Sequence, residues 1–344
     1  MKQTTFASLA WNGKGKVTRR ERFLGEMDAV VPWARLVGLI EPHYPKAGRG
    51  TQPLPLERML RIYFMQNWFN LSDPGAEDAL YDSESMRRFA GIELAEDVIP
   101  DESTILRFRH LLERNGLTEQ IFAEIRGLLE EKRLLLKSGT IVDATIIAAP
   151  PSTKNAEKAR DPEMHQARKG KEWHFGMKAH VGTDKRGIVH TLVTTPANAA
   201  DINQLPQLLH GNEKELYGDQ AYWSEFHRQC VQEAGVRYRV KRRGTRATPL
   251  SDHQQAINCL RSKARARGEH AFHVVKRLWG FTKVRYRGLA KNTARLFTAF
   301  ALANLYLLRR RLLPEGDVSL VGAMRRQRQS DPVENRALPA AFWP

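Results

Sequence analysis

The 344-residue sequence is poor in cysteine: Cys230 and Cys259 are its only two. Two cysteines cannot build a disulfide framework, and they match no metal-ligand spacing, so a reducing compartment is expected. No secretory signal is readable in the first residues. Long apolar runs are also missing. The longest, LFTAFALANLYLL at 296–308, is too short and too broken to span a bilayer. It reads as a buried helix closed by Arg309, Arg310 and Arg311, cations that suit a helix C-terminus. No membrane partner is expected. Acids are scarce in one place. Residues 236–291 contain two, Asp252 and Glu269, against sixteen Lys and Arg, and this segment supplies most of the chain's net charge of +17. Solubility needs no such concentration; a polyanion does. Nucleic acid is therefore expected as partner, and no small-molecule substrate.

What is present divides the chain. Residues 1–20 are polar and basic and read as an arm. From 21 to 130 the apolar pattern is helical. LERMLRIYFMQNWFN (56–70) spaces Leu56, Met59, Leu60, Tyr63, Phe64 and Trp68 along helical faces, and SDPGAEDALYD follows with Asp73 as N-cap and Pro74 at the first helical position. PDESTILRFRHLLERNG (100–116) is a further helix ending at Gly116. After Leu134 strands take over: 139–148, 174–183, 187–195, 216–219 and 236–240, with a hairpin turn at TDKRG (183–187) and a helix near 201–210. This predicts a mixed α+β chain, with an all-α region followed by an α/β domain over 134–312 and a tail over 313–344. The charged segment 150–173 lacks periodicity and reads as a mobile excursion. Residues 241–258 read as a basic loop or short hairpin, and the helix beyond them spans 261–281.

Within SGTIVDATIIAAP (138–150), Asp143 stands among residues that read as the inside of a sheet. A carboxylate there loses hydration unless something compensates it. Two further acids are candidate companions. Asp219 ends a short strand in ELYGDQAYWS, and Glu269 is the sole acid in a helix crowded with Arg and Lys. Strand ends and helix starts at the C-terminal edge of a sheet can converge on one point. Three carboxylates there repel one another unless cations enter. Mg²⁺ suits such oxygens, and a pair of Mg²⁺ ions activates water and stabilises the leaving oxygen of a phosphodiester. Mn²⁺ shares the preference and should substitute. Arg265, Glu269 and Lys276 share a helical face, two cations for phosphate about a carboxylate for metal. The same spacing also describes a surface ladder of ion pairs. Asp161, Glu163, Asp184 and Asp201 are competing acids.

Longer strings carry a resemblance. IEPHYPKAG, PLERMLRIYFMQNWFNLSD, TIVDATIIAAPPSTKN, RDPEMHQARKGKEWHFGMKAH, LVTTPANAADINQL and RARGEHAFHVVKRLWGFTKVRYRGL make the chain similar to DDE transposases of bacterial insertion sequences, in the family named after insertion sequence five. The resemblance implies an RNase H-like catalytic domain with Asp143, Asp219 and Glu269 as metal-binding catalytic residues. It implies double-stranded DNA as partner, both terminal inverted repeats and target, and at least a homodimer on that DNA. It places the protein in the bacterial cytoplasm, on the nucleoid. Arg265 and Lys276 fit the family's cations around the glutamate; Ser262 stands where the family has a Tyr. Only 49 residues separate Asp219 from Glu269, too few for a large insertion domain.

Other residues stay open. Arg242, Arg243 and Arg267 of the basic segment suit DNA, as do Arg107 and Arg109 if helix 100–115 is a recognition helix; a packed bundle with solvated arginines fits equally. Tyr222 and Trp223 suit a stacked base or a core. His174 and His180 share a strand face, but no third zinc ligand stands at a metal-like spacing. Asn198 and Asp201 shape a turn or support the site. A non-catalytic DNA-binding descendant of a transposase, and an RNase H-like nuclease for branched nucleic acid, are the rival functions.

Overall fold

A computed structural model of the chain describes residues 15–313, apart from residues 49–51, 95, 155, 157 and 246. The expected tail and most of the expected arm lie outside the described residues. The helical region begins at α1 (Arg19–Val30), inside the expected arm, because Thr18 and Glu21 form a reciprocal capping box. It continues through α2 (Trp33–Ile40), α3 (Leu56–Phe69), α4 (Asp73–Asp82), α5 (Glu84–Ala90), α6 (Glu102–Arg114) and α7 (Leu117–Glu131). The cap of α4 is Ser72, not the expected Asp73. Asp73 instead accepts hydrogen bonds from Gln66 and Arg109, tying α4 to α3 and α6.

The second half builds one sheet from β1 (Thr140–Ala148), β2 (His165–Lys169), β3 (Glu172–Thr183), β4 (Val189–Pro196), β5 (Glu215–Gly218) and β6 (Arg237–Val240). Its order is β2-β3-β1-β5-β6, with β4 also paired to β3. β3 runs antiparallel to β1, β2 and β4, whereas β5 and β6 run parallel to β1 and to each other. The parallel pairs need crossovers. These are the short helix α8 (Leu205–Leu208) before β5 and α9 (Glu225–Glu233) before β6.

Two expectations are corrected. The excursion at 150–173 contains β2, an exposed strand that forms a tight hairpin with β3 across Gly170 and Lys171. Asp161 and Glu163 in it accept the backbone N–H groups of Gly288 and Leu289, which start the last helix. Residues 241–258 form no hairpin. α10 begins at Asp252, capped by Ser251 and Gln254, and runs to Arg265. Beyond it the expected single helix is broken into a 3-10 turn (Ala266–Gly268), α11 (Glu269–Phe272) and a π-helical turn (His273–Leu278).

The last helix, α12 (Leu289–Leu312), explains the apolar run. It is buried between the helical region and the sheet. Thr298 meets the Tyr63 hydroxyl at 3.1 Å, and Asn304 closes both hydrogen bonds of Val189 in β4. One continuous apolar core therefore joins α1–α7, the sheet and α12. No helix among the described residues is long and apolar enough to cross a membrane.

Candidate active site

β1 pairs in parallel with β5 through Thr140–Leu216 and Ile141–Tyr217. Two residues farther along that register, Asp143 on β1 and Asp219 just past β5 stand level. Asp219 caps the following turn, accepting the Ala221 N–H at 2.9 Å. Glu269 reaches the same place from α11. Close packing sets its depth. A Cβ on Gly268 would lie 2.9 Å from the Ile141 side chain on β1. One on Gly187, whose φ is +87°, would strike the Arg267 carbonyl at 2.2 Å. Both glycines let the segment before Glu269 rest on the sheet.

Arg265 compensates the buried carboxylate. Its Nη1 donates to Asp143 Oδ2 at 2.6 Å and its Nη2 to Glu269 Oε1 at 2.8 Å. Asp143 is 8% exposed, and burial pushes its carboxyl up to about 6. Arg265 and the Ala144 N–H pull it down, while the charges of Asp219 and Glu269 push it up. Lys276 is anchored differently. Its Nζ donates to Thr145 Oγ1 and to the Ile146 carbonyl, both at 2.9 Å, and burial lowers its pKa. The spacing of Arg265, Glu269 and Lys276 thus makes no exposed ladder: the cations reach across to β1.

These five residues line one open cavity of about 920 Å³. Among the described residues, no three His, Cys, Asp or Glu side chains stand close enough to share a metal ion. The Arg265 guanidinium stands between Asp143 and Glu269.

Sequence reasoning missed most of the opposite wall. Lys178, Arg168, Lys169 and Arg277 also line the cavity, together with Asp201. Lys178 donates to Asp201 Oδ1 at 2.8 Å and to the Ala199 carbonyl at 2.7 Å. His180 lies behind them, fully buried, hydrogen-bonded to Thr195 and held down at about 4 by burial. Asp201 is thus a cavity residue, while Asn198 is exposed. Lys178 and His180 alternate on one strand, the signal that was available.

Arg109 does not have the expected place. It is 6% exposed, ion-paired to Asp73 and Glu113, and stacked 4.0 Å over the Tyr286 ring. No face is left for phosphate. Arg107 is exposed and donates to Ser103 of its own helix. Arg267 and Arg243 are exposed on the basic segment, and Arg242 faces a second cavity of about 450 Å³ with Trp223 and Tyr238. Tyr222 is core: it is 1% exposed and packed against Val142 and Leu216. Ser262 spends its hydroxyl on the Asn258 carbonyl one turn back. Asp184, another competing acid, is fully buried and accepts the N–H groups of Leu136, Arg186 and Ile188.

Two family models match the chain. The model described as "Transposase DDE domain" matches residues 135–305. That stretch contains every strand and all five residues above. The chain belongs to the DDE transposases. A second model, "Transposase domain (DUF772)", matches residues 12–111, which hold α1–α5 and most of α6. For a DDE transposase the partner is DNA, and the DDE domain implies an RNase H-like fold, with which the mixed sheet agrees.

Proposed function

We propose that this transposase cuts a phosphodiester at each end of its own insertion sequence and joins the freed 3′-hydroxyl to target DNA, with Asp143, Asp219 and Glu269 as catalytic residues. The observation that carries the reading is convergence. A strand middle, a strand end and a helix start bring three acids to one cavity rimmed by cations. The donor set is all carboxylate oxygen, with no thiol or imidazole in the trio, which fits a hard divalent cation. Asp143, Asp219 and Glu269 would hold Mg²⁺ once Arg265 lets go of two of them. Bound there, Mg²⁺ supplies activation of the attacking oxygen and charge stabilisation at the leaving one.

The chain's own residues do the rest. Lys276, fixed to β1 beside Asp143, offers its remaining donor to a phosphate oxygen. Arg265, released from the carboxylates, takes another, so the guanidinium moves from protein anion to DNA anion. The cations at 236–291 hold the duplex against the site. The helical region at 21–130 contributes to recognition of the terminal inverted repeats. Two ends require two sites, so the working unit is at least a dimer on DNA. Membership in the insertion-sequence-five branch and residence on the bacterial nucleoid go with this reading.

The test uses a duplex carrying the terminal inverted repeat that flanks the chain's own gene. Cleavage should need Mg²⁺, survive Mn²⁺, and vanish in Asp143→Asn, Asp219→Asn and Glu269→Gln while end binding stays within about twofold. Robust cleavage in excess chelator, or by any of these variants, sinks the assignment.

A further inference from the structure

Lys178 has no part in holding a cation at the carboxylates, yet it lines the same cavity. Its place follows from the pairing of β1. β3 covers one edge of β1 from Ile141 to Ala148. Among the described residues the other edge is paired only at its two ends, with β5 at Thr140 and Ile141 and with Lys283 at Ala148. The stretch between, from Asp143 to Ile146, opens onto the cavity. Successive side chains of a strand point to opposite faces. Asp143 and Thr145 therefore share one face, and Lys276 meets β1 there through Thr145 Oγ1. Lys178 is the cross-strand partner of Ile146, so it stands on the other face. Two ammonium groups thus flank one open strand edge, one on each face of the sheet.

The surroundings of Lys178 fix it in one position. Its Nζ donates to Asp201 Oδ1 and to the Ala199 carbonyl. An ammonium carries three donors, so one remains. Asp201, at the start of a 3-10 turn (Asp201–Gln204), has no other donor among the described residues. His180 comes nearest, its Nδ1 3.8 Å from Asp201 Oδ1, but it has no proton to give there. Thr195 donates its hydroxyl to the Pro196 carbonyl and so accepts from His180 Nε2 at 2.8 Å. Burial keeps the ring neutral, which leaves Nδ1 a fully buried acceptor without a partner. The Asp201 charge therefore serves Lys178 alone. A fixed ammonium with a donor to spare, in the wall of a cavity that binds DNA, suits a backbone phosphate.

We infer that Lys178 is a further catalytic residue: it takes the phosphate on the far side of the scissile bond from the one taken by Lys276, with Asp201 as its positioning residue. The inference rests on the transposase reading. A strand laid across the open edge of β1 meets Lys276 on one face and Lys178 on the other, and the bond to be cut lies between them. Two fixed points, one to each side, set the scissile phosphate against the acids more closely than either cation alone.

The test uses the full chain and terminal-repeat duplexes in which one phosphate at a time, on either side of the cleavage point, is replaced by a neutral methylphosphonate. The readout is single-turnover cleavage in Mg²⁺. The wild-type chain should lose about tenfold or more in rate at one position on each side, the effect of a lost charge-assisted hydrogen bond. Lys178→Gln should be slow on the unmodified duplex and lose nothing further at one of those positions, while the loss at the other persists. Lys276→Gln should show the reverse pattern. Asp201→Ala should blunt the loss at the Lys178 position alone, and Asp201→Asn, which still accepts from Nζ, should restore it. Lys178 is a structural tie, and the assignment is overturned, if Lys178→Gln keeps both wild-type losses. Should Lys178→Gln not fold, the wild-type pattern decides: losses confined to one side of the cleavage point overturn it equally. An Asp201→Ala profile equal to that of the wild type removes Asp201 as the positioning residue. Failure of the transposase reading looks different: the wild-type chain would cut none of the duplexes.

Discussion

Arg109 and Arg265 each grip two carboxylates, one in the helical region and one at the edge of the sheet. Arg109 holds Asp73 and Glu113 under a Tyr286 ring, and Asp73 is held again by Gln66. Every participant has its back to packed protein. Arg265 holds Asp143 and Glu269, but the Glu269 side chain is 56% exposed, and Asp219 stands near enough to raise the Asp143 carboxyl. The same salt-bridge pattern is thus closed in by protein in one place and open to a cavity in the other. What separates them is the rest of the surroundings: whether another cation can reach the acids, and whether another anion can reach the arginine.

The largest expected difference is in stability. Arg109→Ala strands two acids among helices and should cost about 3–5 kcal/mol, read from urea unfolding. Arg265→Gln should cost less, about 1–3 kcal/mol, because Asp143 can take up a proton and the Glu269 side chain reaches solvent. Equal losses would erase the contrast. Next comes the cation. Without DNA, at about pH 8, Arg265→Gln should bind Mn²⁺ about tenfold more tightly than the wild type, since no guanidinium has to leave the carboxylates first. Unchanged affinity by electron paramagnetic resonance would mean that Arg265 does not compete for that place.

The third comparison is with pH. Asp143 titrates near 6 in the folded chain, above its ordinary 3.8. The folded chain holds that proton more tightly than the unfolded one, so this contribution to stability is present below about pH 4 and is lost as pH rises through about 6. Cation binding runs the opposite way, because the ligand must be ionised. Mn²⁺ affinity of the DNA-free chain should fall as pH drops below about 6, and Arg265→Gln should move that midpoint upward. A midpoint near the ordinary carboxylate value would show that burial does not govern this acid. The smallest effect separates anchored from free cations. Lys276→Gln and Arg243→Gln should each flatten the salt dependence of binding by roughly one unit of slope. Only Lys276→Gln should slow single-turnover cleavage further than it weakens binding.

The parts of this molecule legible in the sequence are those where burial writes a period. α3 and α6 show their apolar faces, and β1, β3, β4, β5 and β6 fall within a few residues of where alternation puts them. Asp143 was legible as an anomaly in such a strand, and Glu269 by its isolation among cations. Where both faces meet water no period is written. β2 is exposed along nearly its whole length, and α10 buries none of its residues, so one read as an excursion and the other as a loop. The 3-10 turn before Glu269 leaves composition unchanged and rests on Ile141 and Gly187. Arg109 misled because its partners, Asp73 and Tyr286, are far away in sequence, and so is the Lys178–Asp201 pair at the cavity.

α12 has a consequence for the order in which the chain is made. Its contacts reach back 235 residues to Tyr63 and 115 to Val189. Helices α1–α7 leave the ribosome long before this partner exists, with apolar faces that α12 helps to cover. Those early helices cannot settle as a finished unit and then wait for the enzyme to be added. A fragment ending near residue 133 should be helical yet loosely packed. In the whole chain, the helical region and the sheet should reach their final form together, in one late step of folding.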